Sequence, residues 1–87
     1  MAEVSLPLLL KEFTGGVRKT RLEGETLGEV LAALDSLYPG IEARIHEDGK
    51  ISPTLALVVD GKIAMKGLNT PVEPDSQVAV LPSFGGG

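Results

Sequence analysis

One segment of this chain carries helical periodicity, and nearly everything around it reads as strand. That imbalance limits the folds open to it. Glu25-Thr26-Leu27-Gly28-Glu29 places Thr26 as an N-cap with Glu29 three residues on. This is a capping box, in which each side chain satisfies the other residue's backbone N–H. Leu27, Val30, Leu31, Leu34 and Leu37 follow at the spacing of one face of a 3.6-residue helix. The pattern predicts a helix over Leu27 to Tyr38, stopped by Pro39-Gly40, because proline cannot continue the ladder and glycine tolerates the exit angle.

Val4–Leu10 reads as a strand with Val4, Leu6, Leu8 and Leu10 on one face, interrupted at Pro7, which has no N–H to give a ladder. Phe13-Thr14-Gly15-Gly16 reads as the turn of a hairpin whose second strand is Val17–Glu23, charged enough for a sheet edge. Beyond the helix, Ile41–His46 reads as a short helical turn with Ile41 and Ile45 inward, and Glu47-Asp48-Gly49-Lys50 as a polar loop. Thr54–Asp60 is apolar on both alternations, which predicts a strand buried on both faces. Asp60-Gly61-Lys62 predicts a tight turn into a return strand, Ile63–Lys66. Gly67–Ser76, with two prolines, reads as irregular, and Gln77–Leu81 as the last strand. The element order ββαβ(β)β predicts an α+β fold, one helix across a mixed sheet of four to five strands, with the first and last strands adjacent in the middle.

The chain has 87 residues, enough for one small domain. Its aromatics are Phe13, Tyr38 and Phe84, so the core must be aliphatic. It has no cysteine, which excludes disulfides, zinc–thiolate and iron–sulfur sites and a thiol nucleophile. The formal net charge of −4 argues against nucleic acid as a partner, since phosphate must be met by a basic excess. The local basic cluster is Arg18, Lys19 and Arg21. No apolar run approaches the roughly 18 residues of a membrane span. The run Leu6–Leu10 is too short for a signal peptide and is preceded by Glu3. The expectation is a soluble cytoplasmic protein with no membrane partner.

Catalytic sets are not visible. The single histidine, His46, has no partner for a metal cluster, reads as a surface residue beside an acidic loop, and none of the serines sits in a Gly-x-Ser-x-Gly elbow. The glycine runs lack the Gly-Lys-Ser/Thr ending of a phosphate loop. Glu47 with Asp48, and Glu73 with Asp75, lack the periodicity of a calcium loop. What remains is the tail, Gly85-Gly86-Gly87. A glycine-rich end reads two ways, as a frayed terminus or as a working tail. Here it follows Val78-Ala79-Val80-Leu81-Pro82-Ser83-Phe84 with no polar spacer, which favours the second. A main-chain carboxylate is ionised at neutral pH and can attack the α-phosphorus of ATP held by another protein. Glycine lets such a tail thread a narrow channel. On this reading residues 1–82 form the domain and 83–87 a flexible tail.

The residues also resemble a known family. The ending Leu81-Pro82-Ser83-Phe84-Gly85-Gly86-Gly87 is similar to that of the MoaD/ThiS sulfur carriers, and Leu57-Val58-Val59-Asp60-Gly61-Lys62 to their preceding strand and turn. Thr14-Gly15-Gly16 resembles the first hairpin of a subgroup linked to cysteine biosynthesis. The resemblance implies the ubiquitin-like β-grasp fold and a carrier that is not itself an enzyme. It implies that Gly87 is adenylated by an E1-like adenylyltransferase/sulfurtransferase, which uses the ATP, and is converted to a thiocarboxylate. No cofactor or metal would be bound by the carrier itself. The sulfur would pass to a biosynthetic enzyme of cysteine, molybdopterin, thiamin or a related metabolite. Gly85 and Gly86 would thread the tail, while Leu81, Pro82, Phe84 and Val58 would contact partners. A C-terminal processing peptidase is a further implied partner. Alternatives of the same tail are a protein modifier conjugated through Gly87 and the small subunit of molybdopterin synthase. The outer sheet face around Ala56, Val58 and Leu81 reads equally as a docking patch or as two-sided burial. Where the family often has Asp-Gly-Asp before the last strand, this chain has Glu73-Pro74-Asp75-Ser76, so that turn must differ while a hydrogen-bonding acid survives.

Overall fold

The computed structural model describes residues 1–83. The tail positions singled out above, Phe84, Gly85, Gly86 and Gly87, lie outside the described residues. Among the described residues seven strands and three α-helices run in the order β1 (Ala2–Ser5), α1 (Lys11–Thr14), β2 (Lys19–Leu22), α2 (Leu27–Leu37), α3 (Ile41–Ile45), β3 (His46–Glu47), β4 (Lys50–Ile51), β5 (Leu55–Val59), β6 (Lys62–Ile63) and β7 (Gln77–Pro82). Five strands form one sheet, β2-β1-β7-β5-β6, and β3-β4 form a small separate hairpin. β1 and β7 pair in parallel at the centre, and the other pairs in the sheet are antiparallel. A hairpin, a crossing helix and a last strand returning to lie beside the first make this a β-grasp fold.

The core forms because one parity of every long strand faces the helices. Ala2, Val4, Leu55, Leu57, Val59, Val78 and Val80 meet Leu27, Val30, Leu31 and Leu34 of α2 and Ile41 and Ile45 of α3 in one buried cluster. Each fully buried Leu, Ile or Val contributes about 1.5–3 kcal/mol. α2 starts as its capping residues dictate, with Glu29 N–H donating to Thr26 Oγ1 at 3.2 Å. The return bond differs from the reciprocal pattern expected: Glu29 Oε1 accepts from the N–H of Glu25, at 2.9 Å. The segment after β6 latches the same helix start. Leu27 N–H donates to Thr70 O at 2.9 Å, and Val72 N–H to Glu25 O at 2.9 Å.

Several expectations need correction. The first strand ends at Ser5, and Leu8–Leu10 form a 3-10 turn leading into α1. Pro7 breaks the ladder, so three consecutive leucines follow local helical bonding, with only Leu10 buried. Gly15, at φ 67°, closes α1, so Phe13-Thr14-Gly15-Gly16 is a helix end and not a simple hairpin turn. Leu37, the last residue of α2, is 50% exposed, and the buried stripe of the helix ends at Leu34. β5 alternates, with Ala56 and Val58 half-buried on the second face. The return strand spans only Lys62–Ile63, and Gly67–Asn69 form a 3-10 turn within the segment read as irregular. The polar loop is a hairpin, β3 to β4, turned by Asp48 and Gly49 at φ 51° and 79°. His46 lies half-buried, its side chain 14% exposed, with Nε2 3.0 Å from Glu42 Oε2. The i,i+4 spacing from Glu42 in α3 to His46 at its C-cap brings the two side chains together.

Candidate functional site: the outer sheet face and the tail exit

β7 runs through the centre of the sheet, so the chain leaves the domain from its middle, in register with β5. Ala56 lies opposite Leu81 and Leu55 opposite Pro82, and Ser83 N–H donates to Thr54 O at 2.9 Å. The backbone is thus tied to the domain as far as Ser83.

The register decides what surrounds this exit. Val58 lies opposite Ala79 on one side and Ile63 on the other. Because parity alternates, Ala56, Val58, Ile63, Ala79 and Leu81 share the face turned away from the helices. Leu81 is 43% exposed and Ile63 67%, and Ala56, Val58 and Ala79 are half-buried. Two-sided burial is therefore not the arrangement. Val58 and Leu81, expected to touch partners, belong to one apolar surface. Pro82 is exposed at the end of β7, on the opposite parity. Ile63 and Ala79 were missed, although the two-residue turn Asp60-Gly61 fixes the register that puts Ile63 beside Val58.

The opposite end of β7 is held by Asp60. Asp60 sits in the β5–β6 turn at φ 51°, followed by Gly61 at φ 82°, the pair of left-handed residues a tight hairpin needs. Its Oδ1 accepts from Gln77 N–H at 2.8 Å and its Oδ2 from Ser76 Oγ at 2.7 Å. Ser76 Oγ in turn accepts from Glu73 N–H at 2.9 Å. The Gln77 amide, and next the Ser76 hydroxyl, hold the Asp60 carboxyl below its ordinary value of 3.8, against a smaller opposing effect of desolvation. The acid that organises the turn before the last strand is thus Asp60, 15 positions upstream of Asp75. Glu73 and Asp75, the acids of the turn itself, remain exposed.

A cleft of about 570 Å³ lies elsewhere, between α3 and the β3–β4 hairpin, with His46 in its wall. It shares no lining residue with the tail exit. Among the described residues no three His, Asp or Glu side chains gather to hold a metal ion, and no helix is long and apolar enough to cross a membrane.

Comparison with known proteins bears on the whole chain. The ThiS family model matches residues 4–87. The sulfur carrier protein CysO of Mycobacterium tuberculosis (H37Rv) is 32% identical over 89 residues, covering 97% of this chain and 96% of that protein. Small archaeal modifier protein 3 of Haloferax volcanii is 31% identical over 64 residues, covering 71% and 70%. Among solved structures, a chain of the Amycolatopsis orientalis BexX/CysO complex superposes with a TM-score of 0.90 at 27% identity, each chain covered in full. With the β-grasp topology, the apolar outer face and a family match that runs through Gly87, the chain belongs to the ThiS family.

Proposed function

We propose that this protein is a sulfur carrier whose Gly87 carboxylate is the working group. A carboxylate oxygen attacks the α-phosphorus of ATP on an E1-like adenylyltransferase, and pyrophosphate leaves. Hydrosulfide, or a persulfide followed by thiol reduction, then attacks the acyl carbon and expels AMP, leaving a thiocarboxylate. The acceptor enzyme takes the sulfur. The carrier supplies no catalytic side chain. It presents a carbonyl on Gly85-Gly86-Gly87, and four residues beyond Ser83 reach at most about 14 Å.

The observation that carries this reading is that the family match extends through the glycine tail to Gly87. The geometry supports it, because β7 delivers that tail beside an uncovered apolar face that a partner can grip. Leu81, Pro82 and Val58 are the described contacts, and Phe84 would extend them. Among acceptors we put the cysteine-forming one first, because Thr14-Gly15-Gly16 resembles the first hairpin of the subgroup linked to cysteine biosynthesis. Intact-protein mass spectrometry after incubation with ATP, the cognate adenylating enzyme and a sulfur donor should show one oxygen exchanged for sulfur. An unchanged mass would overturn the reading.

The similarity to a small archaeal modifier protein supports a second reading, conjugation of Gly87 to target lysines. Conjugates of higher mass in cells, lost on deletion of Gly86 and Gly87, would establish it.

A further inference from the structure

The basic cluster Arg18, Lys19 and Arg21 plays no part in the tail chemistry, and the fold puts it beside the tail exit. Lys19 lies opposite Ser5, which lies opposite Ala79, and Arg21 lies opposite Glu3. Lys19 and Arg21 therefore stand on the same outer face as Val58, Ala79 and Leu81. Arg18, just outside β2, donates from Nε to Leu6 O at 3.2 Å. With Lys19 it forms the cationic rim of a groove of about 410 Å³ whose other walls include Pro7, Leu8, Leu81 and Pro82. Leu8 is 60% exposed there.

The local charge runs against a net charge of −4. On this face Glu3 lies 3.9 Å from Lys19, the lysine side chain mostly in solvent and the glutamate half-buried, and Asp75 lines a cleft with Glu3 and Arg21, away from the groove that Arg18 and Lys19 rim. Among the described residues Arg18 and Arg21 make no ion pair. Charged side chains on an edge strand do blunt edge-to-edge pairing. That explains charge on β2 but not its uniform sign, and not Arg18, which lies outside the strand and is held at the groove rim by a hydrogen bond. With Nε engaged, the terminal guanidinium nitrogens remain to pair with a carboxylate.

We propose that this groove is a docking subsite for an acidic segment of the adenylating enzyme, an apolar side chain seated between Leu8 and Leu81 with carboxylates against Arg18 and Lys19. It rests on the carrier reading and adds the partner's chemistry. Apolar contact along β5 and β7 supplies affinity, and the cationic rim fixes orientation and speeds encounter, so docking weakens as salt rises.

The test is ATP–pyrophosphate exchange by the source organism's E1-like adenylyltransferase, with the full chain as co-substrate. Arg18→Glu combined with Lys19→Glu should raise the KM for the carrier about tenfold at low salt while leaving kcat within about twofold. The wild-type KM should climb with added salt and the variant's should not. Lys50→Glu combined with Lys66→Glu, the same charge change at exposed positions off this groove, should leave KM unchanged. Lys19→Glu alone, which keeps the Arg18 bond to Leu6, gives the same reading at smaller size if the double variant does not fold. A KM for the rim variants equal to wild type, or one raised equally by the Lys50 and Lys66 pair, overturns the inference and leaves the carrier reading standing. A wild-type chain that supports no exchange overturns both.

Discussion

Asp60 and Gln77 exchange two hydrogen bonds. Asp60 N–H donates to Gln77 O at 2.8 Å, and Gln77 N–H donates to Asp60 Oδ1 at 2.8 Å. The exchange joins the β5–β6 turn to the first residue of β7, the strand that carries the tail. It also makes folding pH-dependent. The folded-state pKa of Asp60 is lowered from 3.8, so its stabilisation is fully present above 3.8 and is lost as pH falls through the lower folded value. Asp60→Asn keeps a side chain that tolerates positive φ, but its amide offers one acceptor oxygen where Asp60 accepts from both Gln77 N–H and Ser76 Oγ. The variant should have a lower urea midpoint than wild type at neutral pH, and the gap should narrow progressively below pH 3.8. A gap constant from neutral pH into acid would refute this assignment.

Thr26→Ala removes the side chain that accepts from Glu29 N–H and should cost about 1 kcal/mol. For a domain of this size that lowers the thermal midpoint by about 4–8 °C. Thr26→Ser should recover most of the loss. Calorimetry on the three proteins decides it, and an alanine variant as stable as the serine one would show that the latch from residues 67–76 holds the helix start alone.

How legible the fold was depended on whether local signals and tertiary contacts agreed. α2 was readable because capping residues and apolar spacing both point to the same helix, and the structure buries Leu27, Val30, Leu31 and Leu34 as that spacing requires. The central pairing of β1 with β7 was readable from element order. Val4–Leu10 misled because alternate apolar residues fit a strand as well as a 3-10 turn, and Pro7 decided the outcome by withholding a ladder donor. The β3–β4 hairpin had a usable signal, Asp48-Gly49, a pair suited to a two-residue turn. At the site, Val58 and Leu81 were legible from strand position. The hold of Asp60 on β7 was not, because its partners Ser76 and Gln77 are 16 and 17 residues away in sequence and no local pattern announces them.

Among the described glycines, Gly24 is the one least tolerant of a side chain. A Cβ there would lie 2.8 Å from both the backbone nitrogen and Cγ2 of Val30. The Val30 nitrogen cannot swing aside, since it donates to Thr26 O at 3.0 Å in the first turn of α2. Gly24→Ala should therefore destabilise the domain by about 1–3 kcal/mol, the usual cost of overpacking. Gly49→Ala, whose Cβ would meet nothing within 4 Å, isolates the cost of positive φ alone, and the first variant should be the less stable in urea titrations. Equal stabilities would mean that the β2–α2 connection shifts to make room.

The outer face and the tail should fail in different ways. Leu81 is 43% exposed and paired across the sheet with half-buried Ala56, so Leu81→Glu should change stability by no more than about 0.5 kcal/mol. It should raise the KM for the carrier in adenylation while leaving kcat near wild type, because it weakens docking without touching the reacting carboxyl. Deleting Gly86 and Gly87 should do the opposite. The described core residues all lie at or before Val80, so the thermal midpoint should not move, yet exchange should vanish at any carrier concentration. The shortened chain should still compete with the intact carrier for the enzyme, since Val58, Ile63 and Leu81 remain on its surface. If the truncated chain does not compete, the tail holds the partner as well as presenting the carbonyl, and the outer face loses its role as the grip.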